Sequence, residues 1–227
     1  MLLLLRNLVF YPLFYLGSFL ITAASLVAAP FSLAAFRRRV RDWGRWQRWC
    51  LRHIIGADVV IEGNYADQPV LYAIKHESFF EAIDAPNLLE CPSVFAKQEL
   101  FAIPGWGRAA LAYGLIPVAR DKGAKMLMGM IRSAKKMVAD GRPLVIFPEG
   151  TRVPHGERRP LQAGFAGLYK MLGLPVVPVA VSSGEVYHRW LKKPGTITYR
   201  FGETIPPGLP REEVEAKVLD AINALNA

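Results

Sequence analysis

His76 and Glu81 stand five positions apart in Lys75-His76-Glu77-Ser78-Phe79-Phe80-Glu81, and an imidazole with a carboxylate at that distance is suited to proton transfer. Imidazole titrates near neutrality, and a neighbouring carboxylate fixes its tautomer and offsets the charge it acquires. Ser78 and Glu81 also fall in S-x-x-E spacing, the capping-box pattern, which predicts a helix starting at Ser78 with Glu81 at its third position. The two readings are compatible, because capping turns Glu81 back towards His76. Taken singly, each charged residue is more often a solvated surface group than a catalytic one. Asp84, eight positions after His76, is the rival carboxylate.

Three further stretches carry groups that could hold a substrate. Lys97 follows the strand-like run Ser93 to Ala96, and Arg120 follows Leu115 to Val118. Phe147-Pro148-Glu149-Gly150-Thr151-Arg152 follows the apolar Leu144-Val145-Ile146. In that hexapeptide proline ends a ladder, glycine permits an unusual turn, and arginine can make forked bonds to a phosphate. The plainer alternative is a polar turn in which Glu149 and Arg152 pair with each other.

All these groups need a scaffold that brings strand ends together. Apolar runs at Asp58–Ile61, Val70–Ile74, Ser93–Ala96, Leu115–Val118, Leu144–Phe147, Val176–Val181 and Thr196–Phe201 read as strands. Helical periodicity covers Gly123–Ala139, Leu161–Leu172 and Arg211–Leu225. The alternation predicts an α/β fold: a mostly parallel central sheet of about seven strands flanked by helices. His76, Lys97 and Arg120 then project at the carboxyl edge, where open α/β sheets bind ligands. There is no internal repeat and no low-complexity linker.

The first 55 residues are different in kind. Leu2 to Ala29 is almost wholly apolar, long enough at a rise of about 1.5 Å per residue to cross roughly 30 Å of hydrocarbon. Arginines then crowd in at positions 37, 38, 39, 41, 45 and 48. A cleaved signal peptide is opposed by the length of the apolar run and by those arginines. A single spanning helix, with the arginines and the remaining chain on the cytoplasmic face, and a re-entrant pair broken at Pro12, Gly17 or Pro30 both stay open. Between Asp42 and Ile55, Trp43, Trp46, Gln47, Cys50 and Ile54 share one helical face. This predicts either an interfacial helix, with tryptophans at headgroup level and Arg45, Arg48 and Arg52 towards lipid phosphate, or an amphipathic helix packed on the domain. The expected organisation is residues 1–55 as membrane-embedded and interfacial helices and 56–227 as the α/β domain.

Composition narrows the partners. The 227 residues are 52% hydrophobic and 21% charged, with a net charge of +9, so the chain has a core to bury and favours anionic partners such as phospholipid headgroups or phosphorylated metabolites. Nucleic acid suits the charge, but no recognised binding module is present and the apolar leader opposes it. Cys50 and Cys91 have no framework spacing and read as free thiols. His53, His76, His155 and His188 are scattered singly, so no metal site is expected.

The four blocks His76–Glu81, Lys97–Arg120, Phe147–Arg152 and Pro175–Val179, in this order, resemble the lysophospholipid acyltransferases of the 1-acylglycerol-3-phosphate acyltransferase family over roughly Ile61 to Ser183. The resemblance implies transfer of a fatty acyl group from acyl-CoA or an acyl carrier protein (acyl-ACP) to the sn-2 hydroxyl of lysophosphatidic acid at a phospholipid membrane, with the thioester as co-substrate and no cofactor. It implies His76 as base, Glu81 as its partner, Lys97, Arg120 and Arg152 on the acceptor's phosphate, and Glu149, Gly150 and Thr151 shaping the acceptor site. The usual family pattern has aspartate where Glu81 stands, and many members carry a lysine where Gln162 stands. Pro117 and Ala119 replace an aromatic and an acidic residue common before the arginine. Another lysolipid or hydroxyl acceptor remains the alternative. A lipid hydrolase using Ser78 or Cys91 lacks the G-x-S-x-G elbow, and a non-catalytic membrane adaptor would bind anionic vesicles without consuming thioester.

Overall fold

The computed structural model describes residues 1–118 and 123–226, and of 123–126 the backbone alone. Among these residues seven strands form one sheet: β1 (Ala57–Glu62), β2 (Leu71–Ile74), β3 (Ser93–Lys97), β4 (Ile116–Val118), β5 (Leu144–Ile146), β6 (Val176–Val181) and β7 (Gly195–Phe201). Their order is β1-β7-β6-β2-β5-β3-β4. All neighbours run parallel except β6 and β7. The link between those two, residues 182–194, contains no helix and so returns the chain antiparallel, whereas a parallel pair needs a longer crossover.

The helices are α1 (Leu2–Ala28), α2 (Leu33–Cys50), α3 (Phe80–Leu88), α4 (Trp106–Tyr113), α5 (Gly123–Ala139), α6 (Gly164–Leu172) and α7 (Arg211–Ile222). Strand alternation sorts the core into two layers. Tyr72 and Ile74 of β2 join Phe80 and Leu88 of α3 with Phe10, Phe14, Cys50 and Leu51 of the amino-terminal part. Leu71 and Ala73 face Ile131 of α5, Phe165 of α6 and Val214 of α7. Every residue of β2 and β6 is buried, as central strands covered on both faces require.

α1 and α2 form an antiparallel hairpin that shares the sheet's core. Of the expected break points, Pro12 and Gly17 lie inside continuous helix, and the chain turns only around Pro30. Ser32 caps α2 by accepting from the Ala35 N–H at 3.2 Å. Gly17 allows the close approach of the two helices, since a Cβ there would lie 2.3 Å from the Trp46 ring. The Trp46 indole donates to the Phe14 carbonyl at 3.3 Å and Trp43 to Ser18 Oγ at 2.9 Å. These two indoles therefore turn towards α1. Arg48 likewise turns inward, its Nε and Nη2 each 2.7 Å from Asp84. The helix begins at Leu33, nine residues before Asp42, because the arginine-rich stretch is itself helical.

The first turns of α1 are fastened to the globular part. Arg6 donates to the Ile55 carbonyl at 2.9 Å. Asn7 exchanges two hydrogen bonds with the Lys192 backbone, at 2.8 and 2.7 Å. Tyr11 donates to the carbonyl of Trp190 at 3.0 Å. The outer side of α1, including Leu5, Leu8, Leu16, Phe19 and Leu20, is exposed.

Candidate active site

β2 delivers His76 to the carboxyl edge of the sheet. The ladder continues one residue past the strand, Lys75 N–H donating to the Val179 carbonyl at 2.9 Å. The regular helix then starts at Phe80, two residues later than the capping pattern predicts. The reason lies in Ser78. Its hydroxyl is 2.8 Å from Ser183 Oγ and accepts from the Phe80 N–H at 3.1 Å, so it shapes a turn instead of capping the third helical amide. The carboxylate half of the pattern survives, Ser78 N–H donating to Glu81 Oε2 at 3.2 Å.

Glu81 is buried and surrounded by donors. Oε2 receives Ser78 N–H and lies 3.3 Å from His76 Nδ1; Oε1 receives the Ser183 hydroxyl and, at 3.4 Å, the Glu77 N–H. At the amino end of α3 it also meets the favourable end of the helix dipole. The pairing holds the Nδ1–H tautomer of His76, leaving Nε2 as the basic nitrogen, with no protein partner among the described residues. Phe147 stacks on the ring with centroids 4.3 Å apart, and the side chain is 16% exposed. A nearly dry imidazole with one open nitrogen and a fixed carboxylate can take a proton from a hydroxyl placed against Nε2. Asp84 is buried on Arg48 and Asn87 instead, so the rival carboxylate is already engaged.

The hexapeptide after β5 turns back over this edge. Gly150 adopts φ +67°, and its N–H donates to the Phe147 carbonyl at 2.9 Å; the positive φ is where glycine is preferred. Thr151 is half-buried and Arg152 exposed, with the guanidinium carbon 4.0 Å over the Phe79 ring. Glu149 points the other way. Its Oε1 accepts from Lys75 Nζ at 2.8 Å in a fully buried ion pair, while Oε2 has no hydrogen-bond partner. The Glu149–Arg152 pair considered from sequence is not formed. Gln162 supports the loop, its N–H donating to Pro148 O at 2.8 Å and Nε2 to Glu149 O at 3.2 Å. Lys97, exposed, ends β3 at the same edge. Arg120 lies outside the described residues. The structure thus places His76, Glu81, Lys97, Thr151 and Arg152 at one rim, with the Glu149 carboxylate beneath it.

Three contributors are not apparent from sequence patterns. Lys75 is fully buried, held by Glu149, the Glu157 carbonyl and Asn223 Oδ1 at 2.8 to 2.9 Å. Ser183 is 102 positions from Glu81, and no local spacing points to it. Glu77 is buried with His155 Nδ1 at 2.9 Å and the Gly184 N–H at 2.7 Å; burial pushes its carboxyl up, against the lowering pull of those two partners. Of the alternative nucleophiles, Ser78 is buried in the network just described, and Cys91 precedes β3 at the opposite edge of the sheet from His76.

The sequence model of the Acyltransferase family matches residues 56–182. A 1-acyl-sn-glycerol-3-phosphate acyltransferase of Pseudomonas aeruginosa is 30% identical over 206 residues, covering 87% of this chain and 79% of that one. The human 1-acyl-sn-glycerol-3-phosphate acyltransferase beta is 28% identical over 157 residues, 66% of this chain and 56% of its own length. The crystal structure of the 1-acyl-sn-glycerophosphate acyltransferase of Thermotoga maritima superposes with a TM-score of 0.78 at 20% identity, covering 97% of this chain and 94% of that one; it shows the shared fold.

Proposed function

The chain belongs to the Acyltransferase family, and we propose that it transfers a fatty acyl group from an acyl thioester, acyl-CoA or acyl-ACP, to the sn-2 hydroxyl of lysophosphatidic acid, giving phosphatidic acid. The observation that carries this reading is the His76–Glu81 pair at the sheet's carboxyl edge, with Nδ1 held at 3.3 Å and Nε2 open. His76 accepts the proton as the hydroxyl attacks the thioester carbonyl, and the imidazolium returns it to the departing thiolate. Glu81 offsets the transient charge. General-base assistance of this kind is worth about 10² to 10⁴ in rate, and positioning of the two substrates supplies much of the rest. No acyl-enzyme is needed, because the acceptor itself is activated, and the thioester brings the activated acyl group, so no resident cofactor takes part.

Arg152 and Lys97, with Arg120, supply the positive charge for the acceptor's phosphate, Arg152 through the forked geometry that suits phosphate oxygens. Glu149 contributes from beneath, its ion pair with Lys75 setting the course of the Gly150-Thr151 backbone.

The amino-terminal hairpin brings the enzyme to its lipid. The bonds of Arg6, Asn7 and Tyr11 to the globular part support the re-entrant alternative over a straight span, since they keep the start of α1 on the domain's side of the bilayer. Its exposed leucines then lie in one leaflet. Arg38, Arg39 and Arg45, all exposed on α2, meet anionic headgroups, and their density favours the cytoplasmic face.

The test offers purified protein one labelled acyl thioester with a panel of lysolipids and identifies the products by mass. Phosphatidic acid as main product supports the proposal; acyl transfer to a different lysolipid in preference, or hydrolysis alone, overturns it.

A further inference from the structure

Three consecutive residues leaving β2 each grip a different point of the segment that carries Arg152. Lys75 Nζ donates to Glu149 Oε1 at 2.8 Å and to the Glu157 carbonyl at 2.9 Å. The His76 carbonyl accepts from the Val153 N–H at 2.8 Å. Glu77 Oε1 meets His155 Nδ1 at 2.9 Å. The other oxygen of Glu77 accepts from the Gly184 N–H at 2.7 Å, which ties the same carboxylate to the turn after β6. Its neighbour Ser183 holds Glu81. One turn therefore braces both carboxylates of the motif, one serving the imidazole and the other serving the segment opposite.

Arg152 has little of its own to fix it. It is exposed, with its guanidinium carbon 4.0 Å over the face of Phe79. Where its guanidinium stands is set by the backbone around it, hence by Val153 one residue on and His155 three residues on. Val153 is held by a backbone bond that any residue there would make. The His155–Glu77 pair depends on side chains, and it ties this segment directly to the residue after His76.

We infer that Glu77 and His155 are positioning residues: together they clasp the Arg152 segment onto the catalytic strand end and hold Arg152 where an acceptor phosphate meets it. This rests on the proposed lysophosphatidic acid reaction. The pair touches no reacting atom, so its loss moves acceptor affinity rather than the proton transfer at His76. Without His155, the buried Glu77 carboxylate keeps only the Gly184 amide, and the stretch just after Arg152 loses its side-chain tie to the catalytic strand end while keeping the Val153 backbone bond.

The experiment compares His155→Ala with His155→Asn, whose amide N–H lies close to where imidazole Nδ1–H was and can still donate to Glu77. For His155→Ala the expected result is a rise of about tenfold in KM for lysophosphatidic acid, the scale of a lost hydrogen bond to a charged group, with kcat within about twofold of wild type. Amide exchange across 150–155 should quicken in the same variant, and Asn should recover most of both effects. An unchanged KM with unchanged exchange overturns the clasp, and so does a fall in kcat at constant KM. Faster exchange in a protein whose wild type acylates no phosphate-bearing lysolipid overturns the proposed reaction and leaves the clasp standing.

Discussion

Replacing Glu81 by Gln separates its two roles, because the amide preserves shape and removes charge. The cheapest arrangement puts the amide nitrogen at the Oε1 site, where Ser183 can rotate its hydroxyl to accept, and keeps the carbonyl oxygen on Ser78 N–H and His76 Nδ1. Only the Glu77 N–H, already distant at 3.4 Å, then faces a donor. The fold and the tautomer are retained; the counter-charge for the imidazolium is lost. Two unit charges about 4 Å apart at an effective dielectric near 20 attract by about 4 kcal/mol. His76 is 16% exposed and its bond to Glu81 is 3.3 Å long, so the loss should reach about half of that or more, roughly a 30- to 1000-fold fall in kcat. KM for the acceptor should stay within about threefold, since the carboxylate does not touch it. The assay is continuous thiol release from acyl-CoA in mixed micelles, with thermal unfolding in parallel. A kcat within fivefold of wild type would reduce Glu81 to a structural brace and refute the dyad; a large drop accompanied by unfolding would be answered by restoring the carboxylate with Glu81→Asp, which should recover activity.

Arg152→Ala should raise KM for lysophosphatidic acid by tenfold or more, the loss of a charge-assisted bond to phosphate, while leaving acyl-thioester affinity unchanged; equal losses for both substrates, or none, remove the phosphate assignment. In thiol labelling of the native protein, half-buried Cys91 should react and Cys50 should not, because burial pushes the Cys50 thiol up to about 12; rapid modification of both would contradict the core packing of α2. Lys192 is buried over the Tyr187 ring at 4.0 Å and donates to the His188 carbonyl at 2.7 Å, and burial pushes it down to about 8 from an ordinary 10.5. A folded value below the unfolded one means that the cost of burying the charge is full below pH 8 and is relieved as pH rises towards 10.5. The stability of wild type relative to Lys192→Met should therefore improve between pH 7 and 10, by up to about 3 kcal/mol and less if the tyrosine face offsets the burial; denaturant unfolding at the two pH values would show it, and a constant difference would refute it.

What could be learned from sequence divides along a physical line. Buried strands announce themselves as short apolar runs, so β6 falls at Val176–Val181 as expected and the other strands within one residue at either end. α5 likewise keeps its expected bounds, Gly123–Ala139, because seventeen residues display a full helical period several times over. α4 has eight residues, too few for the period to stand out, and Gly107 inside it sits where a Cβ would collide with the Phe101 carbonyl. The site splits in the same manner. His76 and Glu81 are close in sequence and stand at a strand end, so local spacing reveals them. Lys75 with Glu149, Glu77 with His155, and Glu81 with Ser183 join residues 74 to 102 positions apart, and nothing local distinguishes a buried lysine or histidine from a solvated one. Arg48 illustrates the converse error: an arginine in a basic helix suggests lipid phosphate, yet its partner is Asp84 in the core. Such pairs depend on which elements pack together, a property of the whole fold.

The most direct test of the mechanism is turnover by His76→Ala, purified in the same micelles as wild type, with acyl-CoA and lysophosphatidic acid as substrates and phosphatidic acid quantified by mass. Removing the base should lower kcat by at least about 10² to 10⁴, with the helical signal and vesicle association unchanged and no acylated protein detected. Turnover within tenfold of wild type, or an acyl group found covalently on Ser78 or Cys91, would contradict direct activation of the lipid hydroxyl by this imidazole.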